Sequence, residues 1–188
     1  MIENKKNEDS VNLYLRMTED EIDKFFKDKE DSEKQCIYLE KKAKDYKRKM
    51  KKGSLNLVCR WETDINKIDL DQLNTQLIED IKKNLTKDYV IEILNLDNVV
   101  LKVTPTPEIN FPKDKLWENR QNYIIARLIE FIEKGGILIP PIISPIVEKN
   151  IIAVIDGNNR IALCRFCKLK EIPFIFQKKY IKFTEDLK

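Results

Sequence analysis

Between residues 32 and 52 the apolar or small side chains Cys36, Leu39, Ala43, Tyr46 and Met50 recur at spacings of 3, 4, 3 and 4. That rhythm sets them in one stripe of a helix starting near Ser32, and such a stripe needs a partner helix or sheet. Upstream, residues 1 to 12 are polar and expected to fray. Thr18-Glu19-Asp20-Glu21 reads as a capping box for a separate short helix with Ile22, Phe25 and Phe26 on its apolar face. Gly53-Ser54 ends the longer helix.

The period then changes. Leu55 to Trp61 alternates as a strand does, Asp69 to Leu85 carries leucine and isoleucine at helical spacing, and Tyr89–Leu94 and Val99–Val103 read as two strands. The connection Asn95-Leu96-Asp97-Asn98 suits a hairpin turn, and Thr104-Pro105-Thr106-Pro107 breaks regular structure. A soft boundary is placed here: residues 1–96 form a helix-rich extension with a strand or hairpin, and residues 97–188 form a second unit.

In that second unit, Trp117 to Glu133 has more apolar positions than one stripe needs, which predicts a well-buried helix stopped by Gly135-Gly136. Ile137 to Ile143 contains Pro140 and Pro141 and is therefore extended, leading into a strand at a sheet edge. Ile151 to Ile155 is a continuous apolar run of the kind buried in a mixed or parallel sheet. Directly after it stand Asp156-Gly157-Asn158-Asn159-Arg160 and then Ile161 to Cys167 at helix spacing. The predicted class is α+β: a mixed sheet with flanking helices, plus an N-terminal helical extension.

Composition narrows the chemistry. The chain has no histidine, which removes Ser-His-Asp and Cys-His catalysis and every His-containing metal site. Of the four cysteines, only Cys164 and Cys167 have ligand-like spacing, and they lie inside the predicted helix, so no metal site is expected. Net charge is only +3, so any binding of phosphate must come from a local patch. Abundant Lys, Glu and Ile with few Gly, Met and Gln resembles proteins of hot-growing organisms. No run approaches the roughly 20 apolar residues of a membrane span, and Met1 to Lys6 is not signal-like, so the expectation is a cytoplasmic protein without a membrane partner.

An apolar strand, a glycine turn and a helix N-terminus form an anion-binding arrangement, because the first N–H groups of the helix lack intrahelical partners and its dipole favours negative charge. Gly157 permits close backbone approach, Asn158 or Asn159 can cap the helix, and Arg160 can fork onto phosphate oxygens. A plainer reading has the asparagine cap the helix and Arg160 pair with Asp156 or Glu171.

The string from Val154 to Leu163, followed by Lys168-Leu169-Lys170-Glu171-Ile172-Pro173-Phe174-Ile175, resembles the hallmark of the ParB/sulfiredoxin superfamily: strand, G-x-x-R turn, helix, then a K-E-I-P lead into a strand. The preceding helix, Gly135-Gly136 and Ile139-Pro140-Pro141-Ile142 resemble that family's segment upstream of the motif, so the likeness covers about residues 97 to 178. It implies a ParB/sulfiredoxin-like nucleotide-binding domain at 97–188 that takes ATP, ADP or CTP with Mg²⁺, with Asp156, Gly157, Asn158, Asn159 and Arg160 at the phosphates. Sulfiredoxins carry a reactive cysteine where this turn has Asn158, which argues against their activity here. Archaeal free-serine kinases of this superfamily carry histidine in the turn, where this chain has asparagine, and a catalytic glutamate before the buried helix. Glu118 fits that place best and Glu108 second, each as a general base in a phosphotransferase or nucleotide hydrolase. Partition proteins continue into a helix-turn-helix, whereas Tyr180 to Phe183 are expected here to finish a strand or tail.

An alternative of another class uses the basic face at Lys41–Lys52, with Lys44, Lys47, Arg48 and Lys51 following a DNA or RNA backbone as a ParB-like clamp or nuclease would. Interspersed Glu40 and Asp45 fit an ordinary solvated face as well. Whether the chain forms a homo-oligomer is left open by the sequence.

Overall fold

One helix, α1 (Glu19–Lys51), runs through the stretch where the sequence predicted two. Nothing between Phe26 and Ser32 breaks a helix, since Lys27-Asp28-Lys29-Glu30-Asp31 contains neither glycine nor proline. The computed structural model describes residues 19–68, 78–104, 116–118 and 122–188, and Thr18 with its capping box lies outside them. The predicted stripe is correct: Leu39, Ala43 and Tyr46 are buried, with Cys36 and Met50 half-buried at its ends. Past Lys52 the chain reverses through Gly53, with Ser54 N–H donating to the Lys49 carbonyl and Gly53 N–H to that of Met50, the Schellman pattern of a helix end.

Of the strand expected at Leu55–Trp61, only Arg60–Trp61 (β1) joins a ladder, parallel to Ile137–Leu138 (β3). The inward alternation persists without the ladder, as Leu55, Leu57 and Cys59 pack partly buried against the core. Helix α2 (Ile78–Asp88) buries Ile81 and Leu85, and the rest of the helix expected from Asp69 falls at 69–77, outside the described residues.

Strand β2 (Tyr89–Asn95) pairs antiparallel with β6 (Glu171–Gln177) along its whole length. The second hairpin strand predicted at Val99–Val103 is instead helix α3 (Leu96–Lys102). Asn95, read as a turn residue, caps that helix by accepting from Asp97 N–H and Asn98 N–H, both at 3.1 Å. Leu96, Val99 and Val103 then fall on one buried face while Leu101 is 84% exposed. Helical spacing overrides the strand preference of the valines.

Helix α4 (Asn122–Glu133) begins later than Trp117: Leu116–Glu118 form a turn and 119–121 lie outside the described residues. It packs on α1 and ends at Gly135-Gly136. Strand β4 (Ile142–Ile146) lies inside the sheet, contrary to the edge position its prolines suggested. Pro140 and Pro141 fall in the link before it, where no ladder donor is needed, and the Pro141 carbonyl accepts from Ile175 N–H at 2.8 Å. The edge belongs to β5 (Ile151–Asp156), antiparallel to β4, so that run is less enclosed than its composition suggested. Helix α5 (Asn158–Phe166) follows Gly157, as predicted. After β6 the chain forms a 3₁₀ helix at Lys178–Leu187 rather than a strand or tail, with the Thr184 hydroxyl donating to the Ile181 carbonyl.

The four-stranded sheet has the order β2-β6-β4-β5 and is mixed, with β4 and β6 parallel and the other pairs antiparallel. Alternation along β6 sends Ile172, Phe174 and Phe176 into the main core with residues of α1, α3, α4 and α5, and Ile175 into a smaller one with Ile81 and Leu85 of α2. The architecture is α+β. The boundary expected near residue 97 runs through this sheet, because β2 precedes it and β6 follows it.

Candidate functional site

The site grows out of the end of β5. Gly157 has φ +97°, in the left-handed region open to glycine at little cost. A Cβ there would stand 2.7 Å from Pro141 Cβ and 2.8 Å from Pro141 Cα, so the turn lies directly on the link between β3 and β4. Gly157 is itself the N-cap residue of α5, without a side-chain cap. The expectation that Asn158 or Asn159 caps the helix is corrected: both belong to its first turn. The Asn158 Oδ1 is buried and has no hydrogen-bond partner among the described residues.

Arg160 is committed to the protein. Its guanidinium donates to the Asp156 carboxylate and to the Ile139 carbonyl, and its side chain is 12% exposed against 25% for Asp156. Of the two partners open in the sequence, Asp156 is the one engaged. Burial lowers the Arg160 pKa while the Asp156 charge acts in the opposite sense. The pair thus spans one turn of chain from the end of β5 to α5, and its bond to Ile139 ties both to the segment after β3.

A cavity of about 640 Å³ opens beside this turn. From α4 it receives Ile124, Arg127, Leu128 and Phe131, whose spacings of 3, 1 and 3 put them on one helix face. From β3 and its exit it receives Ile137, Leu138 and Ile139, and from the turn the residues Ile155 to Arg160. One wall is thus apolar and the other polar. The surplus of apolar positions in α4 is explained by this division: Ile125, Ile129 and Ile132 enter the core, whereas Ile124, Leu128 and Phe131 face the cavity.

Arg127 was missed in the sequence. It is exposed, lines the cavity, and among the described residues has no hydrogen-bond or ion-pair partner. The available signal was its place three residues after Ile124 and four before Phe131, on the face the core does not use.

Of the two expected general bases, the structure describes Glu118 alone. Glu118 is exposed in the turn before α4 and does not line the cavity, and Glu108 lies outside the described residues. The basic residues of α1 form a separate surface. Arg48 bonds Asp45 at 2.6 Å, Lys47 Nζ lies 5.2 Å from the Trp117 ring centre, and Lys44 and Lys51 are exposed.

Three thiols meet on the core side of α5. Hydrogen bonding with Cys59 raises the pKa of buried Cys164 and lowers that of Cys59, while burial pushes Cys167 up to about 11. High pKa values make Cys164 and Cys167 poor nucleophiles and metal ligands at neutral pH. Among the described residues no group of histidine, cysteine or carboxylate side chains is arranged to hold a metal, and no helix is long and apolar enough to cross a membrane.

With this geometry in view, the chain was compared with protein families, curated proteins and solved structures. Nothing matches.

Proposed function

We propose that this chain is a nucleotide-binding protein of the ParB/sulfiredoxin type, holding ATP, ADP or CTP in the cavity between α4 and the Gly157 turn. The observation that carries the reading is the two-sided cavity beside a strand, glycine and helix N-terminus. Its volume of about 640 Å³ lies within the range of small-molecule sites. Its apolar wall of Ile124, Leu128 and Phe131 suits a base and sugar, and the N-terminus of α5 suits phosphates through first-turn N–H groups that have no partner within the helix, and through the helix dipole. Mg²⁺ would arrive with the phosphates, the way this ion is commonly held, and needs no preformed protein cage. Asp156 is the one carboxylate on the cavity wall among the described residues, and it is paired with Arg160, so the reading is of binding, with phosphotransfer through Glu118 requiring that turn to approach the cavity.

Isothermal titration with ATP, ADP and CTP plus Mg²⁺ tests the reading, with Asn159→Asp as the variant. A carboxylate in the first turn favours the helix yet repels phosphate. At least one nucleotide is expected to bind the natural protein, and Asn159→Asp to weaken it by about tenfold or more. Absence of binding to all three sinks the reading. The exposed Lys44 and Lys51 would then carry the alternative, seen as salt-sensitive binding of labelled DNA or RNA.

A further inference from the structure

We infer that Arg127, rather than Arg160, is the cation that meets the phosphates of the ligand in this cavity; the inference rests on the nucleotide reading and deepens it. Among the described residues three charged side chains line the cavity: Arg127, Asp156 and Arg160. Asp156 and Arg160 are paired with each other, so together they bring no net charge to the cavity. A second bond from Arg160 goes to the Ile139 carbonyl. To turn its whole fork onto a phosphate, Arg160 would have to give up a half-buried carboxylate and a half-buried carbonyl, and leaving such groups without their donor is costly. Arg160 is therefore a brace that fixes the turn against the link between β3 and β4.

Arg127 has the opposite character. Its guanidinium is exposed on the cavity rim and without a partner among the described residues, so it gains a phosphate without losing a protein contact. Its neighbours on the same face of α4, Ile124, Leu128 and Phe131, are apolar. One helix face thus offers a surface for a flat apolar group with a cation set into it, matching a ligand with an apolar body and an anionic tail. A guanidinium suits that tail because its planar fork takes two phosphate oxygens at once.

The test is calorimetric titration of ATP and CTP, with Mg²⁺, into the natural protein and into Arg127→Ala, Arg127→Lys and Arg127→Glu, at low and at moderate salt. Because Arg127 is exposed and has no partner among the described residues, all three variants are expected to keep the natural melting temperature. Affinity should fall about tenfold to a hundredfold in Arg127→Ala, further in Arg127→Glu, and recover most of the loss in Arg127→Lys. The salt dependence of binding should be shallower in Arg127→Ala than in the natural protein, a change that loss of packing alone would not produce. Nucleotide binding that is natural in strength in Arg127→Ala overturns the assignment and leaves the nucleotide reading standing. Failure of the natural protein to bind either nucleotide overturns both.

Discussion

At the scale of single residues, the pair Asp156 and Arg160 decides how the turn responds to mutation. Truncating Arg160 leaves a largely buried carboxylate and the Ile139 carbonyl without their donor. With partial exposure of both side chains taken into account, Arg160→Ala is expected to cost about 2 kcal/mol, seen in urea unfolding. Removing both partners should cost less than the sum of the single losses, since Asp156→Ala removes the stranded charge. Additive losses would mean that the two side chains do not act as a pair. Loss of nucleotide binding in Arg160→Ala alone would therefore not identify a phosphate contact. The four-residue spacing made Asp156 readable in the sequence as a partner, whereas the lack of a partner for Arg127 among the described residues depends on the chain surrounding α4 and was not readable.

At the scale of elements, Asn95 shows why a clear pattern gave the wrong structure. Asn-Leu-Asp-Asn between two apolar runs fits a hairpin turn, and valine-rich residues 99–103 fit a strand. The same asparagine fits a helix cap, and the choice was made by burial of Leu96, Val99 and Val103 together. Helix α3 spans only seven residues, so its cap carries a large share of its stability. Asn95→Ala is expected to destabilise the protein by about 1 kcal/mol, with amide exchange rising first at Asp97 and Asn98. Exchange unchanged at these two amides would show that the cap is dispensable. Elements with long, uninterrupted signals were legible: the stripe of α1 and the sequence of β5, Gly157 and α5. Sheet order was not, because which strand lies at an edge depends on pairings between segments far apart in the chain, such as β2 with β6.

At the scale of the molecule, α1 and the candidate site are joined through α4, which packs on α1 along one face and lines the cavity along another. Two tyrosines secure that junction. Buried Tyr46 donates to Glu133 at 2.6 Å, and burial together with that carboxylate raises the pKa of the phenol. Tyr38 donates to Glu130 at 2.8 Å, and this bond is the main reason that the Glu130 pKa lies below its usual value. A carboxylate with a lowered folded-state pKa contributes stability above its unfolded value, about 4.3 for glutamate, and loses it as pH falls through the folded value. Tyr38→Phe removes the donor and leaves the ring. At neutral pH the variant is expected to melt about 1–3 °C below the natural protein, the small size reflecting an exposed bond. As pH falls below about 4 the two melting curves should converge, because a protonated Glu130 no longer gains from the phenol. A gap that persists unchanged into acid would mean that Tyr38 acts through its contacts with α4 and not through the charge of Glu130.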